Sequence, residues 1–279
     1  MNRNFNKLLQ KKWDEGKFLC VGLDSDFEKL PNSVKNSSVK SALIKFNKAI
    51  VDATFDLVCA YKPQSSFYEA YGSAGLEALK ETVKYIQKKY PDIPIILDAK
   101  RADIGNTNLG YTKAIFDDLG FDGVTVNPYL GEEALLPFLK YKDKGIIVLV
   151  KTSNPGSGEF QDLVVAKTKQ PLYKYVAKQV SKVWNKNGNL AVVVGATYPS
   201  QLKEVREIVG DIPILIPGIG AQGGDVLKTV KNAKDSKNQG MIISSSRGII
   251  FVSSGKNFAE AAREKAVETD NQIRNSLNG

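Results

Sequence analysis

Residues 94–107 read Pro-Ile-Ile-Leu-Asp-Ala-Lys-Arg-Ala-Asp-Ile-Gly-Asn-Thr, a short apolar run followed at once by charged side chains. The apolar part predicts a buried strand. Because strand side chains two residues apart point to the same face, we expect Asp98 and Lys100 to lie side by side. Asp103 and Thr107 follow on the next turn or helix start. Buried charges are costly unless they pair or take part in chemistry, so this stretch predicts both a strand end and a candidate site.

Similar apolar, β-branched runs recur along the chain and alternate with segments of helical period. In residues 76–90, Leu76, Leu79, Val83 and Ile86 recur at spacings of three and four and predict one buried helix face. Such alternation predicts a parallel sheet covered by helices, either a doubly wound open sheet or a closed barrel, and the number of runs favours an eight-stranded barrel. The runs are residues 18–24, 57–62, 94–98, 123–127, 145–150, 190–194, 212–217 and 241–246.

The length of 279 residues, with 42% apolar and 25% charged side chains, is ordinary for a soluble protein. No linker or low-complexity tract divides it, and barrels usually have about 250 residues. We therefore expect one α/β domain, a (β/α)8 TIM barrel spanning residues 1–279. No apolar run approaches the roughly 20 residues that span a bilayer. Residues 1–10 lack the apolar stretch of a signal peptide, so we expect a cytoplasmic protein that does not bind membranes.

The composition restricts the chemistry. The chain has no histidine, which excludes imidazole catalysis, Ser-His triads and His-ligated zinc. Cys20 and Cys59 both lie inside apolar runs, which predicts buried reduced thiols rather than a disulfide, a metal site or a thiol nucleophile. Proton transfer must therefore use Lys, Asp, Glu or Tyr.

The formal net charge is +9. Such a charge is compatible with nucleic-acid binding, with an anionic small substrate, or with solvated helix faces alone. The lysines are spread along helical segments rather than gathered in a dense basic run, which favours solvated faces, with attraction of a phosphorylated substrate as the functional alternative.

Charges of both signs are expected to meet at the carboxyl ends of the second and third runs. Pro63 stops the second run, which places Lys62 at the rim near Asp98. With Lys100 and Asp103 these two form an alternating array, whose alternative interpretation is a structural ion-pair network. Carboxylates around Lys100 favour its ammonium form, so it is a candidate proton donor and stabiliser of a developing carbanion.

A phosphate site is expected at the last two runs. The glycine-rich residues 217–225 follow the seventh run, and Ser246 and Arg247 end the eighth, where barrels commonly bind phosphate. Backbone amides and the forked guanidinium of Arg247 both suit an anion, although glycines also serve ordinary turns.

The connection after the fifth run is about 17 residues long, which exceeds most structureless loops. It begins with Thr152-Ser153-Asn154. These residues belong either to a lid or a loop that recognises the substrate, or to an ordinary turn. By contrast, Asn127-Pro128 and residues 197–199 are best interpreted as turn and helix-start signals.

Residues 98–107 resemble the signature of the orotidine 5'-phosphate decarboxylase family. The Lys-Pro-Gln and Thr-Ser-Asn-Pro elements resemble the type 2 subgroup, whose usual Lys-Arg-Gly-Asp stands here as Lys100-Arg101-Ala102-Asp103. The other matching segments, all in family order, are residues 22–24, 61–64, 67–69, 152–155, 217–224 and 245–248.

This resemblance implies a carboxy-lyase that converts orotidine 5'-phosphate to UMP and carbon dioxide, the last step of de novo UMP synthesis, without cofactor or metal. It implies that Lys100 protonates C6, that Asp98 and Asp103 lie beside the departing carboxylate, and that Lys62 holds the array and a ribose hydroxyl. It also implies a homodimer in which Asp103, Ile104 and Thr107 reach the partner's site. The implied substrate-binding residues are Asp24 for ribose, Ser153 for the pyrimidine edge, and Gln222, Ser246 and Arg247 for phosphate.

Three alternatives remain. The spacing Asp-x-Lys-x-x-Asp also resembles magnesium-dependent sugar-phosphate decarboxylases and aldolases of the same superfamily, although the other matched segments argue against them. A Schiff-base aldolase using Lys100 is disfavoured because flanking carboxylates keep the amine protonated. A basic nucleic-acid-binding protein is the remote third alternative. The resemblance leaves open an association with orotate phosphoribosyltransferase.

Overall fold

The eight predicted runs form eight parallel strands in a computed structural model that describes residues 3–220 and 223–278. The strands are β1 Leu19–Gly22, β2 Val58–Lys62, β3 Ile96–Arg101, β4 Gly123–Val126, β5 Gly145–Lys151, β6 Val164–Val165, β7 Gln170–Pro171, β8 Leu190–Val194, β9 Ile214–Pro217 and β10 Met241–Ser245. Around the sheet the strand order is β2-β1-β10-β9-β8-β5-β4-β3, and β6 and β7 form a separate small hairpin.

Two isolated parallel bridges, Tyr61 with Ile95 and Gln64 with Asp98, join β2 to β3 and close the sheet into a barrel. The predicted (β/α)8 barrel is therefore confirmed. Because all eight strands run in the same direction, their carboxyl ends meet at one face of the barrel, which is where such folds carry their sites.

Helices surround the strands and connect them. Two of them, α6 (Gly105–Thr112) and α9 (Leu172–Lys178), continue as π-helical turns over Lys113–Asp118 and Gln179–Trp184. Single 3₁₀ turns lie at Phe27–Lys29 and Pro155–Ser157. The helices are α1 Phe5–Asp14, α2 Asn32–Lys35, α3 Val39–Thr54, α4 Ser66–Glu69, α5 Gly72–Lys89, α6 Gly105–Thr112, α7 Gly131–Leu139, α8 Gly158–Gln161, α9 Leu172–Lys178, α10 Pro199–Val209, α11 Val226–Ala233, α12 Arg247–Ile250 and α13 Phe258–Asn278.

Helix α5 corresponds to the helix predicted over residues 76–90. Its buried face includes Leu79, Val83 and Ile86, as predicted. Leu76, however, is 43% exposed, so its predicted burial is wrong. The buried face is centred near Gly75 and Ile86, and Leu76 lies about 100° around the helix from Gly75, at the edge of that face.

Helix α1 covers the amino end of the barrel, an arrangement that the sequence patterns did not predict. The Phe5 ring packs against Gly145, the first residue of β5. A Cβ at this position would lie 2.3 Å from the ring, so there is no room for a side chain. At the other end of the helix, the Trp13 indole N–H donates to the backbone carbonyl of Met241 at 2.8 Å.

A buried ion pair fixes the segment before α1. Arg3 donates from Nε and Nη2 to the two carboxylate oxygens of Asp122 at 2.8 and 2.7 Å, and Nη2 also donates to the carbonyl of Ile93. Asp122 is fully buried and accepts the amide of Ile95 as well. No helix in the described part of the chain has the length and apolar character needed to cross a membrane.

Candidate active site

A cavity of about 390 Å³ opens at the carboxyl ends of the strands. Leu149, Val193, Leu215 and Ile219 supply apolar lining, and most of the remaining lining is polar. Seven of the residues predicted for the site line this cavity: Asp24, Lys62, Asp98, Lys100, Ser153, Ser246 and Arg247.

Asp98 lies between two lysines on one wall of the cavity. Its Oδ2 is 2.9 Å from Lys62 Nζ and its Oδ1 is 2.7 Å from Lys100 Nζ. The Lys62 side chain is only 5% exposed and that of Asp98 13%, whereas the Lys100 side chain is 46% exposed. The side chains of Asp98 and Lys100 therefore lie side by side, as expected, and Lys100 is the more exposed of the two lysines.

The two buried charges stabilise each other. Burial alone would raise the pKa of the Asp98 carboxyl, but the charges of Lys62 and Lys100 outweigh it and hold that pKa well below its usual range. Burial alone would lower the pKa of the Lys62 ammonium, but Asp98 and Asp24 raise it above its usual value. Asp98 is therefore an anion and Lys62 a cation at neutral pH.

Thr125 on β4 is a site residue that the sequence analysis missed. Its hydroxyl donates to Asp98 Oδ1 at 2.9 Å and accepts the amides of Ala99 and Lys100, both at 3.0 Å. The side chain is buried. One hydroxyl thus fixes both the Asp98 carboxylate and the backbone that carries Lys100.

The backbone after Asp98 leaves ordinary strand geometry. Lys100 has φ +49° and Ala102 has φ +118°, in the region that favours glycine. Asn127 stabilises this turn, because its side-chain amide lies 3.2 to 3.4 Å from the carbonyls of Lys100, Arg101 and Ala102. Asn127 also accepts the amide of Tyr129, so its predicted role in a turn is confirmed and the contact with the Lys100 loop is additional.

Asp103, Ile104 and Thr107 do not line the large cavity. Asp103 borders a neighbouring cleft, and its Oδ1 accepts the amide of Ile104 at 2.6 Å. Among residues 3–220 and 223–278 it makes no ion pair, so the four-charge array predicted within one chain is reduced to three charges. The positive φ of Ala102 redirects the chain between Lys100 and Asp103.

The surface beside Asp103 is apolar and open. Ile104 is 59% exposed and Tyr129 is 86% exposed, and Leu109, Leu130 and Leu136 are also exposed. Contiguous exposed apolar side chains are typical of surfaces that another protein covers.

Asp24 follows β1, and Lys62 on β2 therefore lies between Asp24 and Asp98 of β3. The Ser246 hydroxyl donates to Asp24 Oδ2. Asp24 Oδ1 is buried and has no hydrogen-bond partner among the described residues. Asp24 lines the cavity, so its carboxylate is placed to accept a hydroxyl from a bound molecule.

The predicted phosphate site lies at the ends of β9 and β10. Pro217, Gly218 and Arg247 border the cavity there, and Arg247 is exposed with no ion pair to any part of the chain that the structure describes. The Ser246 hydroxyl is directed to Asp24 rather than left free. Gln222 lies outside the described residues.

The long connection after β5 is not structureless, since it contains α8 and the β6–β7 hairpin. Thr152 is held by Gln161, which accepts its amide and donates to its hydroxyl, both at 2.9 Å. The carbonyl of Ser153 accepts the hydroxyl of Thr197 at 3.2 Å, which leaves the Ser153 side chain at the cavity wall. Pro199 begins α10, as the helix-start signal predicted.

Both thiols are buried and free, as predicted. Burial raises the pKa of Cys20 to about 12, so it remains a protonated thiol at neutral pH. Within the two described ranges, Asp, Glu and Cys side chains do not form any group of three placed to hold a metal ion.

Comparison with known proteins gave consistent matches. The sequence model of the "Orotidine 5'-phosphate decarboxylase / HUMPS family" matches residues 17–264. The orotidine 5'-phosphate decarboxylase of Cellvibrio japonicus is 46% identical over 271 residues, which cover 97% of this chain and 98% of that protein.

Solved structures give the same result. Leishmania donovani OMP decarboxylase is similar with a TM-score of 0.82 and 34% identity over 97% of this chain and 98% of that one. Leishmania donovani UMP synthase is similar with a TM-score of 0.84 and 36% identity, over 98% of this chain but only 57% of that longer chain.

Proposed function

The chain belongs to the orotidine 5'-phosphate decarboxylase family, whose named relatives are carboxy-lyases, and from that membership we propose that it converts orotidine 5'-phosphate to UMP and carbon dioxide. The observation that carries the proposal is the Lys62–Asp98–Lys100 array on one wall of a cavity that Arg247 borders as well. A cationic donor for the pyrimidine and a guanidinium for the phosphate are thus available to one bound nucleotide.

The nucleotide is held by three contacts in this proposal. Arg247 and Gln222 bind the phosphate, as does Ser246 once its hydroxyl turns from Asp24 to the anion, and Ser153 binds the pyrimidine edge. The carboxylate of Asp24 accepts a ribose hydroxyl, for which its position in the cavity lining provides support.

Lys100 acts at C6 of the pyrimidine. The bond between C6 and the carboxylate breaks, its electron pair stays on C6, and carbon dioxide leaves. The ammonium of Lys100 stabilises the developing carbanion and then gives it a proton, which solvent later replaces. Asp98 keeps the ammonium directed at the cavity through their 2.7 Å contact. This chemistry needs no metal or cofactor, and it completes de novo UMP synthesis.

The active protein is a homodimer in this proposal. Asp103 makes no ion pair within the described part of its own chain and stands beside an exposed apolar surface that includes Ile104 and Leu130. Burial of that surface against a second copy brings Asp103, Ile104 and Thr107 to the partner's cavity, where the Asp103 carboxylate lies beside the departing carboxylate.

The decisive experiment follows the loss of orotidine 5'-phosphate absorbance in buffer containing EDTA. We expect wild-type protein to turn over and Lys100→Ala to lose at least about 10⁴-fold in kcat, since general acid and electrostatic contributions are removed together. Lys182→Ala, an exposed lysine outside the cavity, is the matched control and should keep full activity. Inactive wild-type protein, dependence on magnesium, or an active Lys100→Ala variant would contradict the proposal.

The shared site is tested by mixing two inactive variants. The Lys100→Ala homodimer lacks the ammonium in both of its sites, and the Asp103→Ala homodimer lacks the carboxylate in both of its sites. After subunit exchange, a mixed dimer has one site with both groups intact, so activity should return to about a quarter of the wild-type value for random reassortment. Absence of any recovery, in samples shown to have exchanged subunits, would place Asp103 in its own chain's site.

A further inference from the structure

Tyr68, in the matched segment 67–69, lies outside the cavity but is part of a buried hydrogen-bond network. Its hydroxyl donates to the backbone carbonyl of Leu23 at 2.9 Å and accepts from the side-chain amide of Asn47 at 3.0 Å. Tyr68 and Asn47 are both fully buried. The hydroxyl therefore connects α4 and α3 to the segment that follows β1.

Asn47 uses its whole amide group in this network. Its Oδ1 accepts the hydroxyl of Ser25 at 2.6 Å, and its Nδ2 donates to Thr82 on α5 at 3.0 Å as well as to Tyr68. Ser25 and Thr82 are also fully buried. Because every N–H and O–H group of these side chains has an acceptor, the network fixes a single arrangement of the three helices and the loop.

The two loop residues that this network holds, Leu23 and Ser25, are the immediate neighbours of Asp24. Asp24 itself has one hydrogen bond to its carboxylate from the described residues, the one from Ser246. The direction of the Asp24 carboxylate therefore depends on this bond and on the backbone on either side. Two backbone hydrogen bonds also hold that backbone, from the amide of Leu23 to the carbonyl of Lys62 at 3.1 Å and from the amide of Asp26 to the carbonyl of Asp24 at 3.0 Å. Leu23 is held through its carbonyl and Ser25 through its side chain, so the backbone of Asp24 cannot rotate without breaking one of these contacts.

We propose that Tyr68 and Asn47 are positioning residues that hold the Asp24 carboxylate in place for the sugar of the substrate. The inference rests on the proposed function, because it takes Asp24 as a ribose ligand. It gives segment 67–69 a role at a distance from the reacting atoms, through bonds to the residues beside Asp24.

Tyr68→Phe removes one hydroxyl and leaves the Leu23 carbonyl and one Asn47 amide hydrogen unpaired. We expect KM for orotidine 5'-phosphate to rise about tenfold, equivalent to about 1.4 kcal/mol of binding, with kcat changing much less. The dissociation constant of UMP should rise by a similar factor, which measures the contact without the chemical step.

Tyr61→Phe is the matched control. Tyr61 is fully buried like Tyr68, and its hydroxyl donates to the carbonyl of Val51 at 3.0 Å and contacts the Thr54 hydroxyl at 2.9 Å, away from Asp24. Both variants lose buried hydrogen bonds and should be destabilised, but only Tyr68→Phe should weaken UMP binding.

A double-mutant cycle with Asp24→Asn separates positioning from general stability. If Tyr68 acts through Asp24, adding Tyr68→Phe to Asp24→Asn changes KM less than about twofold. Equal effects of Tyr68→Phe and Tyr61→Phe, or multiplicative effects of Tyr68→Phe and Asp24→Asn, would overturn the inference. Should Tyr68→Phe not fold, Ser25→Ala removes a single bond of the same network and is tested in the same cycle. Wild-type turnover decides the proposed function separately.

Discussion

The two ends of the barrel each hold a buried carboxylate paired with a cation, yet they differ in what surrounds the pair. At the amino end, Asp122 is fully buried and accepts two bonds from Arg3 and one from a backbone amide. At the carboxyl end, Asp98 contacts two lysines beside an open cavity, and one of them, Lys100, is 46% exposed.

The backbone shows the same contrast. After α1 the residue with positive φ is Gly16, at +70°, where a glycine costs nothing sterically. At the carboxyl end, Lys100 and Ala102 adopt φ of +49° and +118° although neither is a glycine. Two non-glycine residues with positive φ and a half-exposed lysine thus stand beside the open cavity at the carboxyl end, whereas the Arg3–Asp122 pair at the amino end is buried and fully hydrogen-bonded.

The largest effect on stability is expected at the amino end. Asp122→Asn removes the charge that pairs with Arg3 and should lower the free energy of unfolding by about 3 kcal/mol, because breaking a buried pair leaves an uncompensated cation. Denaturant unfolding measures this loss, and kcat/KM of the folded protein should stay unchanged.

The Asp56→Asn variant is the control, because the Asp56–Arg263 pair is also bidentate but about 40% exposed on both sides. We expect a loss under about 1 kcal/mol. Equal losses in the two variants, or a fall in kcat/KM for Asp122→Asn, would remove the distinction between the ends.

Thr125→Val tests how the carboxyl end holds its charges. The substitution conserves shape but removes the bond to Asp98 and the acceptor for two amides, so we expect a loss of about 2 kcal/mol in stability and about 10- to 100-fold in kcat/KM. Thr125→Ser keeps the hydroxyl and should restore kcat/KM to within about threefold. A fully active valine variant would show that Asp98 and Lys100 are oriented without Thr125.

Ala102→Gly tests the strain directly and should have the smallest effect. Glycine removes the steric cost of φ +118° but loses more entropy on folding, so we expect a net gain in stability of about 1 kcal/mol with little change in activity. Ala99→Gly, at a buried strand position nearby, is the control and should destabilise instead. A loss in both variants would mean that Ala102 is not strained.

Most of the barrel could be predicted from the sequence because buried parallel strands are continuous apolar runs, and all eight runs are confirmed. The meeting of the charges that follow these runs could also be predicted, because the carboxyl ends of parallel strands lie at one face of the barrel. Seven predicted site residues line the cavity on that basis.

The remaining features depend on contacts between distant residues. Within Gly123–Val126, Thr125 is an ordinary β-branched strand residue, and nothing nearby in the sequence shows that its hydroxyl turns to Asp98. Asp103 separates from Lys100 because Ala102 takes a conformation that is rare for alanine. The position of α1 depends on glycine and carbonyl groups supplied by strands far along the chain.

That last dependence affects how the protein is made. The ribosome adds the Met241 carbonyl, which the Trp13 indole binds, 228 residues after Trp13 itself. Helix α1 therefore leaves the ribosome long before β10, which completes its packing, has been made. Until the strands that cover them are made, its apolar side chains, Phe5, Leu9 and Trp13, lack the surface that buries them in the finished protein, a situation that favours non-native association.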